Sequence, residues 1–161
     1  MDELKGKIQT LLDIEAIKNL RALYCYLVDG AIAGDKSRYD ELVSRFVDDA
    51  WLDFNVFGYY EGKEAIAKFF REIVDPLWSY AAHMVMNPII EVSGDQANGR
   101  WFVHALATTR ESNRALWVQG RYDEQYVRVN GDWKWKSITF TPDFYTPFDE
   151  GWAKTKMMKL G

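Results

Sequence analysis

One cysteine and two histidines stand in 161 residues, and that scarcity removes several chemistries at once. A lone Cys25, set within an amphipathic stretch, has no partner for an internal disulfide and reads as a small packing residue; a reducing cytoplasm is the expected home. Zinc sites need His-x-Glu, His-Glu-x-x-His or clustered cysteines. None occurs, so no metal is expected. No glycine-rich phosphate cradle follows a strand and there is no Gly-x-Ser-x-Gly elbow, which leaves nucleotide cofactors and serine hydrolysis without support. Lys and Arg number 20 against 24 Asp and Glu, for a net charge of −4, and they are scattered. Nucleic acid, which is bound through clustered cations, is therefore not an expected partner. No apolar run reaches the length of a membrane span, so a membrane is not one either. The segment Met1-Asp2-Glu3-Leu4-Lys5 lacks the basic-then-apolar order of a secretory signal.

Aromatic residues are in excess. They make up 16% of the chain and include seven Trp. Large apolar rings with polar tips suit the lining of a pocket for a bulky apolar ligand, and suit an oligomer interface equally well. The length fits one domain, residues 1–161, able to bury roughly two-thirds of its unfolded surface.

Periodicity orders the chain. From Asp13, a plausible N-cap, apolar residues recur at Ile14, Ile17, Leu20, Leu23, Tyr24, Leu27, Val28 and Ala31, the stripe of a helix that Gly34 ends. Further helices are predicted from Ser37 to Val47 and from Lys63 to Val74, the latter stopped by Asp75-Pro76. Between them Ala50 to Phe57 alternates as a strand, followed by a turn over residues 58–62. Long strands come next at 81–92, 97–109, 115–129 and 133–140, with Asn130-Gly131 a strong hairpin signal. Helices first and a strand meander afterwards imply an α+β fold, a cone-shaped barrel of strongly curved antiparallel sheet wrapped around the N-terminal helices. The tail, 141–161, is too aromatic to be free and is expected to pack on its own subunit or a neighbour.

His83 lies in Ala81-Ala82-His83-Met84-Val85-Met86-Asn87-Pro88, otherwise written as a buried strand. Asp29, near the end of the first helix, can accept a hydrogen bond from one ring nitrogen and leave the other as a base. A buried histidine satisfied by a backbone carbonyl is the bland alternative. Among the phenols, Tyr26 lies about 60° from Asp29 around the helix and Tyr24 about 140°, so spacing alone prefers Tyr26. In the 97–109 strand, alternation puts Trp101, Val103 and Ala105 on one face and His104 on the other, away from a pocket unless a bulge reverses the phase. Asp53 and Asn55 share a strand face as further polar candidates.

Ile14-Glu15-Ala16-Ile17-Lys18-Asn19-Leu20 leading to Tyr24 and Asp29, the strand His83 to Pro88, and the hairpin Asn130-Gly131-Asp132-Trp133-Lys134-Trp135 together resemble the SnoaL-like branch of the nuclear-transport-factor-like superfamily. That branch contains scytalone dehydratase, bile-acid 7α-dehydratases and hexachlorocyclohexane dehydrochlorinase. The resemblance spans Asp13 to Phe148 and implies Tyr24, rather than Tyr26, with Asp29 and His83 as catalytic residues. Phe54, Trp101, Ala105 and Gly120 would then line the substrate pocket. Departures accompany it: Ala105 and Ala107 stand where relatives carry an acid and a second histidine, Phe54 where some carry a phenol, and Ile138 where the dehydrochlorinase carries an arginine. The last argues against chloride departure of that type. The resemblance implies a cofactor-independent dehydratase, or a cyclase or isomerase, on a hydrophobic ring substrate such as a steroid or polyketide. A non-catalytic ligand binder of the same fold is the rival. A homo-oligomer is expected, trimer ahead of dimer, with Phe102, Trp117 and Arg121 as contact candidates.

Overall fold

The computed structural model describes residues 2–159. Helix α1 runs Asp2–Ile32, far upstream of the expected start. Asp13 is therefore no cap but a buried mid-helix carboxylate. Strong helix formers such as Leu4, Lys7, Gln9, Leu11 and Leu12 carry the exposed first turns with no core stripe to announce them. The expected stripe holds from Ile17 onward: Ile17, Leu20, Tyr24, Leu27, Val28 and Ala31 are all buried.

Helix α2 is shorter than predicted, Arg38–Ser44, because Phe46 and Val47 already belong to strand β1, Phe46–Asp53. A single 3₁₀ turn over Asn55–Phe57 interrupts the predicted strand. Tyr59–Glu61, expected as a turn, forms β2, pairing with Trp51–Asp53 of β1 and stacking Tyr59 on Trp51. Helix α3, Lys63–Lys68, widens into a π-helical stretch, Phe69–Val74, and closes with one α turn, Asp75–Leu77. Pro76 thus does not stop the helix at Asp75. It sits in the first turn of that closing segment.

Four long strands complete the chain's regular structure: β3 Trp78–Ser93, β4 Gln96–Thr109, β5 Ala115–Val129 and β6 Asp132–Pro147. Asn130 and Gly131 both take positive φ, 52° and 90°, the type I′ geometry the dipeptide announces. The sheet is one layer in the order β2-β1-β6-β5-β4-β3, antiparallel except where β1 runs parallel to β6. It is curved and open, with β2 and β3 as edges, and α1 packs against β3. The α+β class stands. Strand β6 continues to Pro147, so the tail begins later than expected. It folds back on its own chain, where Met157 bridges Tyr145, Trp152 stacks on Phe144, and Glu150 pairs with Arg114 at 2.5 Å. Among the described residues no helix is long and apolar enough to cross a membrane.

Asp13 fastens α1 to the far hairpin. Arg128 grips both carboxylate oxygens, at 2.8 and 2.7 Å, and Trp133 Nε1 donates to Oδ1 at 3.2 Å. The Arg128 hydrogen bonds hold the Asp13 carboxyl below its ordinary value, outweighing burial. A group lowered on folding stabilises the native state above its unfolded pKa and loses that contribution as pH falls through its folded one. Asp13→Asn is expected to cost about 2 kcal/mol at neutral pH in urea titrations. Its stability curve should converge on that of the wild type below the ordinary carboxylate range; a gap of constant size down to pH 2 would refute the linkage.

Candidate functional site

Asp29 sits in the last turn of α1, and His83 lies on edge strand β3, which α1 covers. An edge strand carries backbone N–H groups that no neighbouring strand claims. Asp29 uses one of them: Oδ2 accepts the backbone N–H of His83 at 2.9 Å while Oδ1 meets its Nδ1 at 2.5 Å. The carboxylate thus holds both main chain and ring. Because an ionised carboxylate only accepts, the arrangement puts a proton on Nδ1 and leaves Nε2 with its lone pair. The side chains are 19% exposed for His83 and 25% for Asp29, so the pair is shielded yet reachable.

The ring of His83 lines a cavity between α1, the π-helical stretch and the inner sheet face. Its walls are mainly apolar: Val28, Phe54, Phe69, Phe70, Val103, Ala105, Ala107 and Phe140. Polar edges come from the phenols Tyr24, Tyr122 and Tyr145. The unfilled space, mouth included, is about 660 Å³. Burial pushes the Tyr24 phenol well above its ordinary value and that of Tyr122 up to about 12, so both are protonated donors.

The other candidates divide. Tyr26 is 73% exposed and stands outside the cavity lining, whereas Tyr24 lies on the buried stripe and lines the cavity. Phe54 and Ala105 line the cavity. Trp101 faces inward as alternation required, yet it stands outside the lining, donating Nε1 to the Tyr126 hydroxyl at 3.1 Å. Gly120 is also outside, backed against Phe140, whose ring lies 2.6 Å from where a Cβ would be. His104 points to the outer face, 3.1 Å from the Gln119 side-chain oxygen and packed on Trp117. Asp53 accepts the backbone N–H of Asn55 at 3.1 Å, a strand-end turn away from the cavity. Cys25 is buried packing.

Sequence reasoning missed Arg21 and Glu124, which form a fully buried ion pair at 3.0 Å behind the cavity. Burial pushes the Glu124 carboxyl up, against the pull of Arg21; burial is also the largest influence on the guanidinium and lowers it, but Glu124, Tyr122, Cys25 and Tyr24 together raise it above its ordinary value. The signal was present: Arg21 falls among Ile17, Leu20 and Tyr24 on the helix's apolar face, and Glu124 falls in phase with Tyr122 and Tyr126. Two opposite charges on faces meant for the core predict each other. Among the described residues no group of three His, Cys, Asp or Glu is placed to hold a metal ion.

Residues 9–139 match the SnoaL-like domain family. The chain belongs to that family. Among relatives of this SnoaL-like protein, hexachlorocyclohexane dehydrochlorinase 1 of Sphingobium indicum is 26% identical over 136 residues, 84% of this chain and 88% of that one. A crystal structure of a type 2 hexachlorocyclohexane dehydrochlorinase superposes with a TM-score of 0.79 at 26% identity, covering 88% of this chain and 93% of that one. A nuclear transport factor 2-like protein of Salmonella enterica, 20% identical with a TM-score of 0.70, shares the fold over 85% of this chain and 95% of its own.

Proposed function

We propose that this SnoaL-like protein is a cofactor-independent lyase that eliminates water from an apolar ring substrate carrying a carbonyl group. The observation that carries the reading is the double grip of Asp29 on His83, which presents a fixed imidazole to an apolar cavity. His83 takes the proton activated by the carbonyl, and Asp29 orients the ring and stabilises its charged form. Tyr24 donates to the carbonyl or to the departing hydroxyl, and Phe54 and Ala105 shape the apolar wall.

Elimination of a halide is the second reading, favoured by the likeness to dehydrochlorinases. Against it, Ile138, where resemblance places their arginine, is a fully buried apolar residue of β6. The deciding assay offers β-hydroxy ketosteroids, smaller polyketide-like hydroxyketones and chlorinated cyclohexanes. Loss of water from a hydroxyketone supports the proposal. Tight binding without turnover in any class would instead make the protein a ligand binder. Tyr24→Phe is expected to lower kcat by about 10²-fold with little change in KM, the signature of a donor whose bond strengthens in the transition state; an unchanged kcat would remove Tyr24 from the mechanism.

The outer face of β3 and β4 leaves Met84, Met86, Ile89 and Phe102 exposed, and we place a subunit contact there, with a trimer favoured over a dimer. Trp117 and Arg121 are engaged within the chain, by Phe148 and by Asp143 at 2.8 Å. Sedimentation equilibrium of the wild type and Phe102→Asp tests the contact; a monomeric wild type refutes it.

A further inference from the structure

The elimination leaves one group unused. Arg21 has no exposed side-chain surface; Nη1 meets Glu124 Oε1 at 3.0 Å, and Nε and Nη2 find no hydrogen-bond acceptor among the described residues. Its Cζ instead lies 4.2 Å from the ring centre of Tyr24 and 3.9 Å from that of Tyr122, two of the cavity's phenols. A cation against an aromatic face draws electron density out of the ring and strengthens its hydroxyl as a donor. The counterion meets the guanidinium through Oε1 and turns its other oxygen away. Glu124 Oε2 accepts from the Tyr126 hydroxyl and, at 3.3 Å, from Trp135 Nε1, side chains that lie outside the cavity lining. The pair is thus an oriented dipole with its positive end toward the cavity, in surroundings too dry to screen it.

We infer that Arg21 and Glu124 are positioning residues that make Tyr24 and Tyr122 an anion-stabilising wall, so that the substrates are those whose departing group or carbonyl oxygen becomes negative against these phenols. The inference rests on the elimination proposed above and extends it. Nε2 of His83 takes the proton from carbon, and the C–H electron pair becomes the new C=C bond. The C–O bond breaks with its pair going to oxygen, and the Tyr24 phenol passes its proton to that oxygen to release water. The phenolate left behind faces Arg21 until the proton held by His83 returns to it through solvent. Burial raises both phenols while Arg21 opposes that rise, which agrees in direction.

The test needs no turnover. 4-Nitrophenol is titrated into the protein at a fixed pH below its own ionisation, and the visible absorbance of the bound phenolate is read. The wild type is expected to raise the phenolate-to-phenol ratio about tenfold over the free probe, equivalent to one pKa unit. Glu124→Gln, which keeps an acceptor for Tyr126 and Trp135 but removes the counter-charge, is expected to raise it further. Arg21→Met/Glu124→Gln should abolish the increase, and His83→Ala should retain it. No increase in the wild type, survival in the double variant, or loss in His83→Ala would each overturn the inference. A merely structural pair would not give opposite signs in the two Glu124 variants; should Glu124→Gln alone fail to fold, the double variant against the wild type decides. A wild type that ionises the probe but releases water from no substrate would instead fail the elimination reading and leave the polarised wall standing.

Discussion

Replacement of His83 by alanine is expected to lower kcat/KM for water loss by about 10³-fold, the scale of a positioned general base, while leaving the unfolding midpoint within a few degrees of wild type. The second expectation comes from geometry. Asp29 Oδ2 is bound by the backbone N–H of residue 83, which alanine retains, so the end of α1 stays fastened to β3 when the ring is gone. Asp29→Asn should behave differently. Its amide keeps one acceptor but loses the charge that stabilises imidazolium, giving a drop of about 10²-fold. Stopped assays with all three proteins check this. Turnover in His83→Ala within a few fold of wild type would end the mechanism, and a collapsed midpoint would make the loss uninterpretable as catalysis.

The chain announced these two residues for physical reasons. A titratable ring in a strand otherwise written Ala, Met and Val is an anomaly against binary pattern, and such anomalies collect where a fold gives up local consistency for function. The α+β order, the Asn130-Gly131 turn and the inward phase of Trp101, Val103 and Ala105 were equally legible, because each depends on local geometry. The failures were long-range. Asp13 looks like a cap until Arg128, 115 residues away, turns it into a buried anchor. Inward phase does not say which inward residues reach the cavity, and so Trp101 and Gly120 fall one layer behind it. Tyr26 satisfied the angular relation to Asp29 and failed on burial, since the stripe beginning at Ile17 decides which side of α1 meets the core. Pro76 comes after a π-helical stretch that no local rule in the sequence signals.

Arg21→Met alone is expected to lower stability by about 3–5 kcal/mol, because it strands a fully buried carboxylate. The neighbours are already engaged: Tyr126 and Trp135 satisfy Oε2, while Oε1 meets the guanidinium. Arg21→Met/Glu124→Gln should recover most of that loss, since a methionine fills much of the arginine stem's volume and the glutamine keeps an oxygen for both donors. Urea denaturation of the wild type, both single variants and the double variant closes the cycle, with an expected coupling of about 2–3 kcal/mol. Additive losses would mean that the two charges do not interact across their 3.0 Å contact. Near-neutral double replacement has a sharper meaning. An apolar or amide core at this place would then fold equally well, and stability would give no reason for two charges behind the cavity. Their remaining effect would be the field at Tyr24 and Tyr122, which the ionisation of a cavity-bound phenol measures directly.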